Sequence, residues 1–170
     1  MQIKVGPLAV FVITVCLIGC KKADQSVRQK TEEYFAIYSD RSDWEKLLSY
    51  YSDKLQFEDI ILREKHDFKG FVEFYNWLQP GFEKHPDYPQ SLILEELIIE
   101  GCYAVGMGKL TPFYWQGELW NMDGYGDFII TLEFDENLKI IKQTDWVAYP
   151  PGVLAYLGKS FASDSVAFKP

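Results

Sequence analysis

The hydrophobic period is mostly helical in the first half of the chain, interrupted by one short alternating stretch, and alternates through the second half. Val27, Thr31, Tyr34, Phe35 and Tyr38 recur at helical spacing, so Asp24 to about Ser39 reads as an amphipathic helix with one buried face. Ser42 and Glu45 make a capping-box pair ahead of Trp44, Leu47, Leu48 and Tyr51, which share the face of a second, short helix. Phe57, Asp59 and Ile61 then alternate with Glu58, Ile60 and Leu62 in a short strand. Asp67 caps a third helix with Phe68, Phe71, Val72 and Tyr75 on its buried face, ended by Pro80-Gly81. From Leu92 the period is two. Leu92 to Glu100 and Tyr103 to Lys109 flank a turn near Gly101, and an aromatic stretch follows. Phe128, Ile130, Leu132 and Phe134 then alternate with Ile129, Thr131 and Glu133, and Asp135-Glu136-Asn137 turns the chain into a last strand, Ile140 to Tyr149. This order predicts a single α+β domain, with helices covering one face of a curved antiparallel sheet.

Composition narrows the function classes. At 170 residues, 48% hydrophobic and 16% aromatic, the chain can build one substantial core. A net charge of −8 without an Arg-rich stripe argues against nucleic-acid binding. Two of the three cysteines, Cys16 and Cys20, lie in the first twenty residues, so no disulfide framework is expected and Cys102 reads as a small buried hydrophobe. His66 and His85 are widely separated and read as loop residues, which with one cysteine in the body supply no metal cluster. There is no Gly-x-Ser-x-Gly elbow and no phosphate-binding glycine loop, and no cofactor is predicted.

The amino terminus has its own pattern. Val5 to Ile18 is an almost unbroken apolar run, preceded by Lys4 and followed by Gly19-Cys20-Lys21-Lys22: the layout of a signal peptide, too short for a comfortable membrane span. Leu17-Ile18-Gly19-Cys20 resembles the lipobox of bacterial lipoproteins. That resemblance implies cleavage of residues 1–19, acylation of Cys20, a tether over 20–26 and a permanent hold on the lipid bilayer of the cell envelope. Lys21, standing where an Asp would signal inner-membrane retention, points by the same resemblance to the outer membrane, facing the periplasm. The domain proper then covers 27–158, and 159–170 form a flexible tail.

Several strings, taken in order, resemble the nuclear transport factor 2-like superfamily and within it the SnoaL-like branch. They are Phe57-Glu58-Asp59 on the first strand, Gly70-Phe71-Val72-Glu73-Phe74 at a helix start, Gly117 in the central strands, and Thr144-Asp145-Trp146 before a short final helix ending Leu157-Gly158. The resemblance spans about Val27 to Gly158. It implies a cone in which a curved antiparallel sheet wraps around three amino-terminal helices and leaves a pocket at the wide end. Relatives include ketosteroid isomerase, scytalone dehydratase, limonene-epoxide hydrolase and polyketide cyclases, beside many proteins with no chemistry, so fold does not settle function.

Within that frame Asp59 is the sharpest anomaly, a carboxylate on the apolar face of its strand with Phe57 and Ile61. Desolvation would raise its pKa toward what an acid or base near neutrality needs, and it matches the position of the base in isomerase-like members. The alternative is an Asp at a strand end, capping a turn or pairing with Arg63. Asp145, in step with Ile141, Val147 and Tyr149, could oppose Asp59 across the cone and divide acid and base roles, or be an ordinary salt-bridged strand residue. Tyr34 and Tyr38, inward on the first helix, could donate to a developing oxyanion or simply fill the core. An epoxide-hydrolase arrangement needs an arginine, and Arg28, Arg41 and Arg63 stand in no matching strand. Phe57, Tyr103, Trp115, Trp120 and Trp146 are candidate walls for a flat apolar ligand, and the sheet face is a candidate homodimer surface. Three readings result: a ligand-binding domain, an acid/base enzyme of isomerase, dehydratase or cyclase type, and a structural envelope module.

Overall fold

The computed structural model describes residues 7–75 and 81–158, with 7–23 as helical backbone only. In chain order the elements are α1 (Pro7–Asp40), α2 (Trp44–Leu48), β1 (Tyr51–Asp59), β2 (Glu64–His66), α3 (Phe68–Tyr75), β3 (Phe82–Lys84), β4 (Leu92–Glu100), β5 (Tyr103–Leu110), β6 (Phe113–Trp115), β7 (Glu118–Trp120), β8 (Asp127–Phe134), β9 (Ile140–Val147) and α4 (Pro151–Tyr156). The expected stop at Pro80 and the tail 159–170 lie outside the described residues. The tether expected over 20–26 is helical here, because α1 runs through it without a break.

The predicted apolar faces of α1 and α3 are the buried ones: Val27, Thr31, Tyr34, Phe35 and Tyr38 on α1, and Phe71 on α3. Helix α2 is shorter than its sequence pattern suggested. Its N-cap is Asp43, whose carboxylate accepts the Lys46 N–H at 2.8 Å, rather than Ser42, whose hydroxyl donates to the Asp40 carboxylate. Tyr51 leaves α2 to begin β1. That strand starts earlier than expected and ends at Asp59, so Ile61 falls in the turn to β2.

Six strands form the main sheet in the order β2-β1-β9-β8-β5-β4. All pairs are antiparallel except β1 and β9, which run parallel with Asp59 in register with Asp145. The inner face buries Leu55 and Phe57 of β1, Ala104 of β5, Phe128, Ile130, Leu132 and Phe134 of β8, and Ile140 and Val147 of β9, packed against the helices. The aromatic stretch forms a second, three-stranded sheet, β3-β6-β7. Gly117 lies in its β6–β7 turn, not in the central strands. With Gln116 at φ 52° and Gly117 at φ 81°, the chain reverses in two residues of positive φ, as a tight hairpin demands. Cys102, read from sequence as buried, is exposed in the β4–β5 turn, because the neighbouring Gly101, at φ 59°, carries the chain around in solvent.

Two glycines of β5 let α1 and β4 close on the sheet. A Cβ on Gly106 would lie 2.3 Å from the Phe35 ring, which stacks on Phe128 at 6.3 Å. A Cβ on Gly108 would lie 1.9 Å from the Ile93 carbonyl oxygen. A ring can swing aside, whereas a backbone carbonyl in a paired strand cannot move without breaking the ladder. Gly108→Ala is therefore expected to cost about 3 kcal/mol or more, beyond an ordinary overpacking penalty, and Gly106→Ala less; comparing urea midpoints of the two variants checks the order.

Candidate functional site

Between α1, α3, the inner sheet face and the β6–β7 hairpin lies a cavity of about 380 Å³. Phe74, Phe113, Trp115, Trp120, Phe128 and Ile130 supply most of its apolar wall, and Leu157, just after α4, closes part of it. The residues of its lining that carry polar groups are Tyr38, Tyr75, Tyr149, Arg41 and Glu73.

Both candidate aspartates stand behind this lining. Each is fully buried, and neither is among the residues that form the cavity surface. The parallel β1–β9 pairing makes them neighbours on adjacent strands, so they do not oppose one another across the cone. Tyr75 donates its hydroxyl to Asp145 Oδ2 at 2.7 Å, and Gln143 Nε2 donates to the same carboxylate at 2.9 and 3.2 Å. Tyr149 donates to Asp59 Oδ2 at 2.9 Å, while Asp59 Oδ1 accepts the Leu62 N–H at 2.8 Å. Asp59 thus does cap the turn that follows its strand, as one sequence reading allowed, and is buried as the other required. Arg63 turns away at φ 58° and forms no described ion pair with it.

Burial pushes the Asp145 carboxyl up to about 7, and the Asp59 charge beside it adds to the rise, against the opposing hydrogen bonds from Tyr75 and Gln143. Burial likewise raises Asp59, assisted by Glu64 and opposed by the Leu62 N–H and Tyr149. Burial raises the phenols of Tyr34, Tyr38, Tyr51, Tyr75 and Tyr149 as well, so all five keep their protons through the physiological range.

The network extends in two directions from Asp145. On the cavity side Tyr38 donates to the Tyr75 hydroxyl at 2.9 Å. Away from the cavity, Gln143 Oε1 accepts from Tyr51 at 2.6 Å and from Tyr34 at 3.2 Å. Tyr34 therefore anchors the network without lining the cavity, whereas Tyr38 does line it. Of the proposed wall residues, Trp115 and Trp120 are in place. Phe57 instead packs into the core against Phe71, Phe74 and Tyr75. Tyr103 and Trp146, 52% and 37% exposed, point outward, because their strand positions have the opposite parity to the buried ones. His66 stacks on Phe57 and His85 on Tyr114, and neither lines the cavity. Among the described residues no three His, Cys, Asp or Glu side chains converge to hold a metal ion.

Sequence reasoning passed over Tyr75, Tyr149, Gln143 and Arg41. The parity of β9 held one usable signal, since Gln143 shares the inward face with Asp145 and two consecutive inward polar residues announce a buried network. Arg41 leaves no such trace. It reaches the cavity because the chain turns at φ 51° immediately after α1, laying the guanidinium 4.5 Å from the Phe82 ring centroid and 5.4 Å from that of Phe113.

The raised carboxyl has a thermodynamic consequence. Between about pH 4 and pH 7 folded Asp145 holds a proton that the unfolded chain releases, so its linkage makes stability fall as pH rises through that window. Above it both states are ionised and the loss is complete. Asp145→Asn should flatten the decline, with Asp59 retaining a smaller slope of the same sign, as denaturant midpoints of both proteins from pH 4.5 to 8 would show.

No family model matches the chain, and no curated protein does. Solved structures do resemble it. An NTF2-like protein of unknown function from Burkholderia pseudomallei superposes with a TM-score of 0.55 at 15% identity, over 79% of this chain and 98% of its own. A candidate SnoaL-like polyketide cyclase from Shewanella putrefaciens gives 0.53 at 13% identity, over 87% and 92%. A candidate ketosteroid isomerase from Kribbella flavida gives 0.52 at 18%, over 75% and 83%. With helices held on a curved sheet whose β1 and β9 are parallel neighbours, and with these structures superposing over most of their length, the chain has the nuclear transport factor 2-like fold.

Proposed function

We propose that the protein is a lipid-anchored envelope protein whose cavity binds a small, flat, predominantly apolar molecule. The observation that carries the binding reading is the cavity wall itself, eight aromatic side chains and several aliphatic ones around a space of about 380 Å³. Both aspartates are turned away from that space and their oxygens engaged by Tyr75, Gln143, Tyr149 and the Leu62 N–H, which favours holding a ligand over attacking one. Saturable binding of naphthalene by the full chain, read from the Ile130 methyl resonance in the cavity, is expected. Replacing Trp115 and Trp120 together by Ala should weaken it about tenfold or more. An Ile130 resonance that never shifts would overturn the reading.

A second reading, a proton-transferring enzyme of the isomerase or cyclase type, is favoured by one observation: Asp145 sits near neutrality, in the range useful to an acid or base. The neighbouring fold includes structures assigned to such classes. In this chain any proton would have to pass through Tyr75 or Tyr149, because those hydroxyls separate the carboxylates from the cavity.

The anchoring part rests on Leu17-Ile18-Gly19-Cys20 and the apolar run before it. Cells fed an alkyne-bearing fatty acid should label the wild-type protein in the membrane fraction. Cys20→Ala should carry no label.

A further inference from the structure

Two of the tyrosines that line the cavity are hydrogen-bonded to buried aspartates. Tyr149 and Tyr75 each line it, and each spends its one proton on a buried aspartate, at 2.9 Å to Asp59 and 2.7 Å to Asp145. A phenol whose proton is committed can offer a ligand only its oxygen lone pair. Asp59 and Asp145 are in-register neighbours, both fully buried, and among the described residues no Lys, Arg or His forms an ion pair with either. Two adjacent buried carboxylates of that kind do not both stay ionised cheaply, so a proton is readily taken up between them.

We propose that the aspartate pair sets which chemical class of ligand the cavity accepts: ionised, it favours molecules that donate a hydrogen bond, such as alcohols or amines, and protonated, it also admits molecules that only accept one, such as ketones. In the ionised state the phenol protons point inward to the carboxylates. On protonation the carboxyl O–H donates to the phenol oxygen, and the phenol's own proton is released from the carboxylate. A proton on Asp59 leaves Tyr149 free to donate into the cavity, whereas a proton on Asp145 lets Tyr75 turn its own toward Tyr38, reversing the bond that Tyr38 now donates. One proton enters at the carboxyl, and no covalent bond to the ligand forms. The inference deepens the binding reading and rests on it.

The groups that face the pair can be named. Tyr34 and Tyr38 approach from α1, Tyr51 from β1, Glu64 from β2, Tyr75 from α3, and Gln143 and Tyr149 from β9 and just beyond it. The phenols stay protonated throughout, and Glu64 faces Asp59. His66 lies 3.3 Å from Glu64, outside the network, and is the control position.

The test uses the full chain in detergent micelles with three probes of the same ring system: naphthalene, which has no polar group, 2-acetonaphthone, which only accepts, and 2-naphthol, which can donate. Binding is read from the Ile130 methyl resonance between pH 5 and 8.5, below the range in which the naphthol itself ionises. Relative to naphthalene, 2-acetonaphthone should bind about fivefold more tightly at the low end than at the high end, the worth of one net hydrogen bond, while 2-naphthol changes little. His66→Gln should keep this dependence. The Asp59→Asn, Asp145→Asn protein should lose it, and Tyr149→Phe should diminish it. Without ligand, carbon-13 labels at tyrosine Cζ of Tyr75 and Tyr149 should titrate together with the aspartate carboxyl carbons. A ketone preference that is flat with pH, or phenol signals that ignore the carboxyl titration, overturns the selector even if every probe binds. Failure of all three probes overturns the binding reading, and the phenol signals then still decide whether the proton-driven reversal occurs.

Discussion

The fold is organised around the burial of one carboxyl group. Asp145 meets Tyr75 of α3 and Gln143 of its own strand, and through Gln143 it reaches Tyr51 of β1 and Tyr34 of α1. Two helices and a pair of neighbouring strands are thereby fixed in a single polar cluster. Such a cluster rewards only one arrangement, because any displaced member leaves a buried polar atom unsatisfied. Hydrophobic packing of Phe35, Phe71 and Phe128 would tolerate many small shifts, and the cluster removes that freedom.

The order of elements was legible because amphipathic periods are imposed by burial itself. The inward residues of α1 and the alternation of β8 read correctly for that reason. Boundaries set by local competition were harder: Asp43 beside Ser42 offers two capping side chains, and only the folded turn decides between them. Pairing was harder still. Nothing in the neighbourhood of Asp59 or Asp145 announces that their strands lie side by side and parallel, since that depends on the path of the whole intervening chain. Their place among apolar residues in the strand alternation marked both acids as unusual, while the tyrosines that partner them are ones that pattern assigns to the core. A hydroxyl adds almost nothing to the hydrophobic period, so its bond to an acid leaves no imprint on the sequence pattern.

The same reasoning explains the misplaced aromatics. Trp115, Trp120, Tyr103 and Trp146 look equivalent in composition, yet parity and sheet membership divide them. Trp115 and Trp120 are carried to the cavity by a hairpin with a two-residue turn, and Tyr103 and Trp146 take outward positions on the main sheet.

That hairpin belongs to a sheet separate from the one bearing the aspartates. The main-chain bonds that place Phe113, Trp115 and Trp120 in the wall are therefore not the bonds that position the polar cluster. Changes of size among Phe113, Trp115 and Trp120 can remodel the volume of the cavity without disturbing the β1–β9 ladder, and changes around the tyrosines can alter its chemistry without reshaping the wall. For descendants of such a protein, cavity size and cavity polarity are separately inheritable traits, free to diverge by different substitutions at different times.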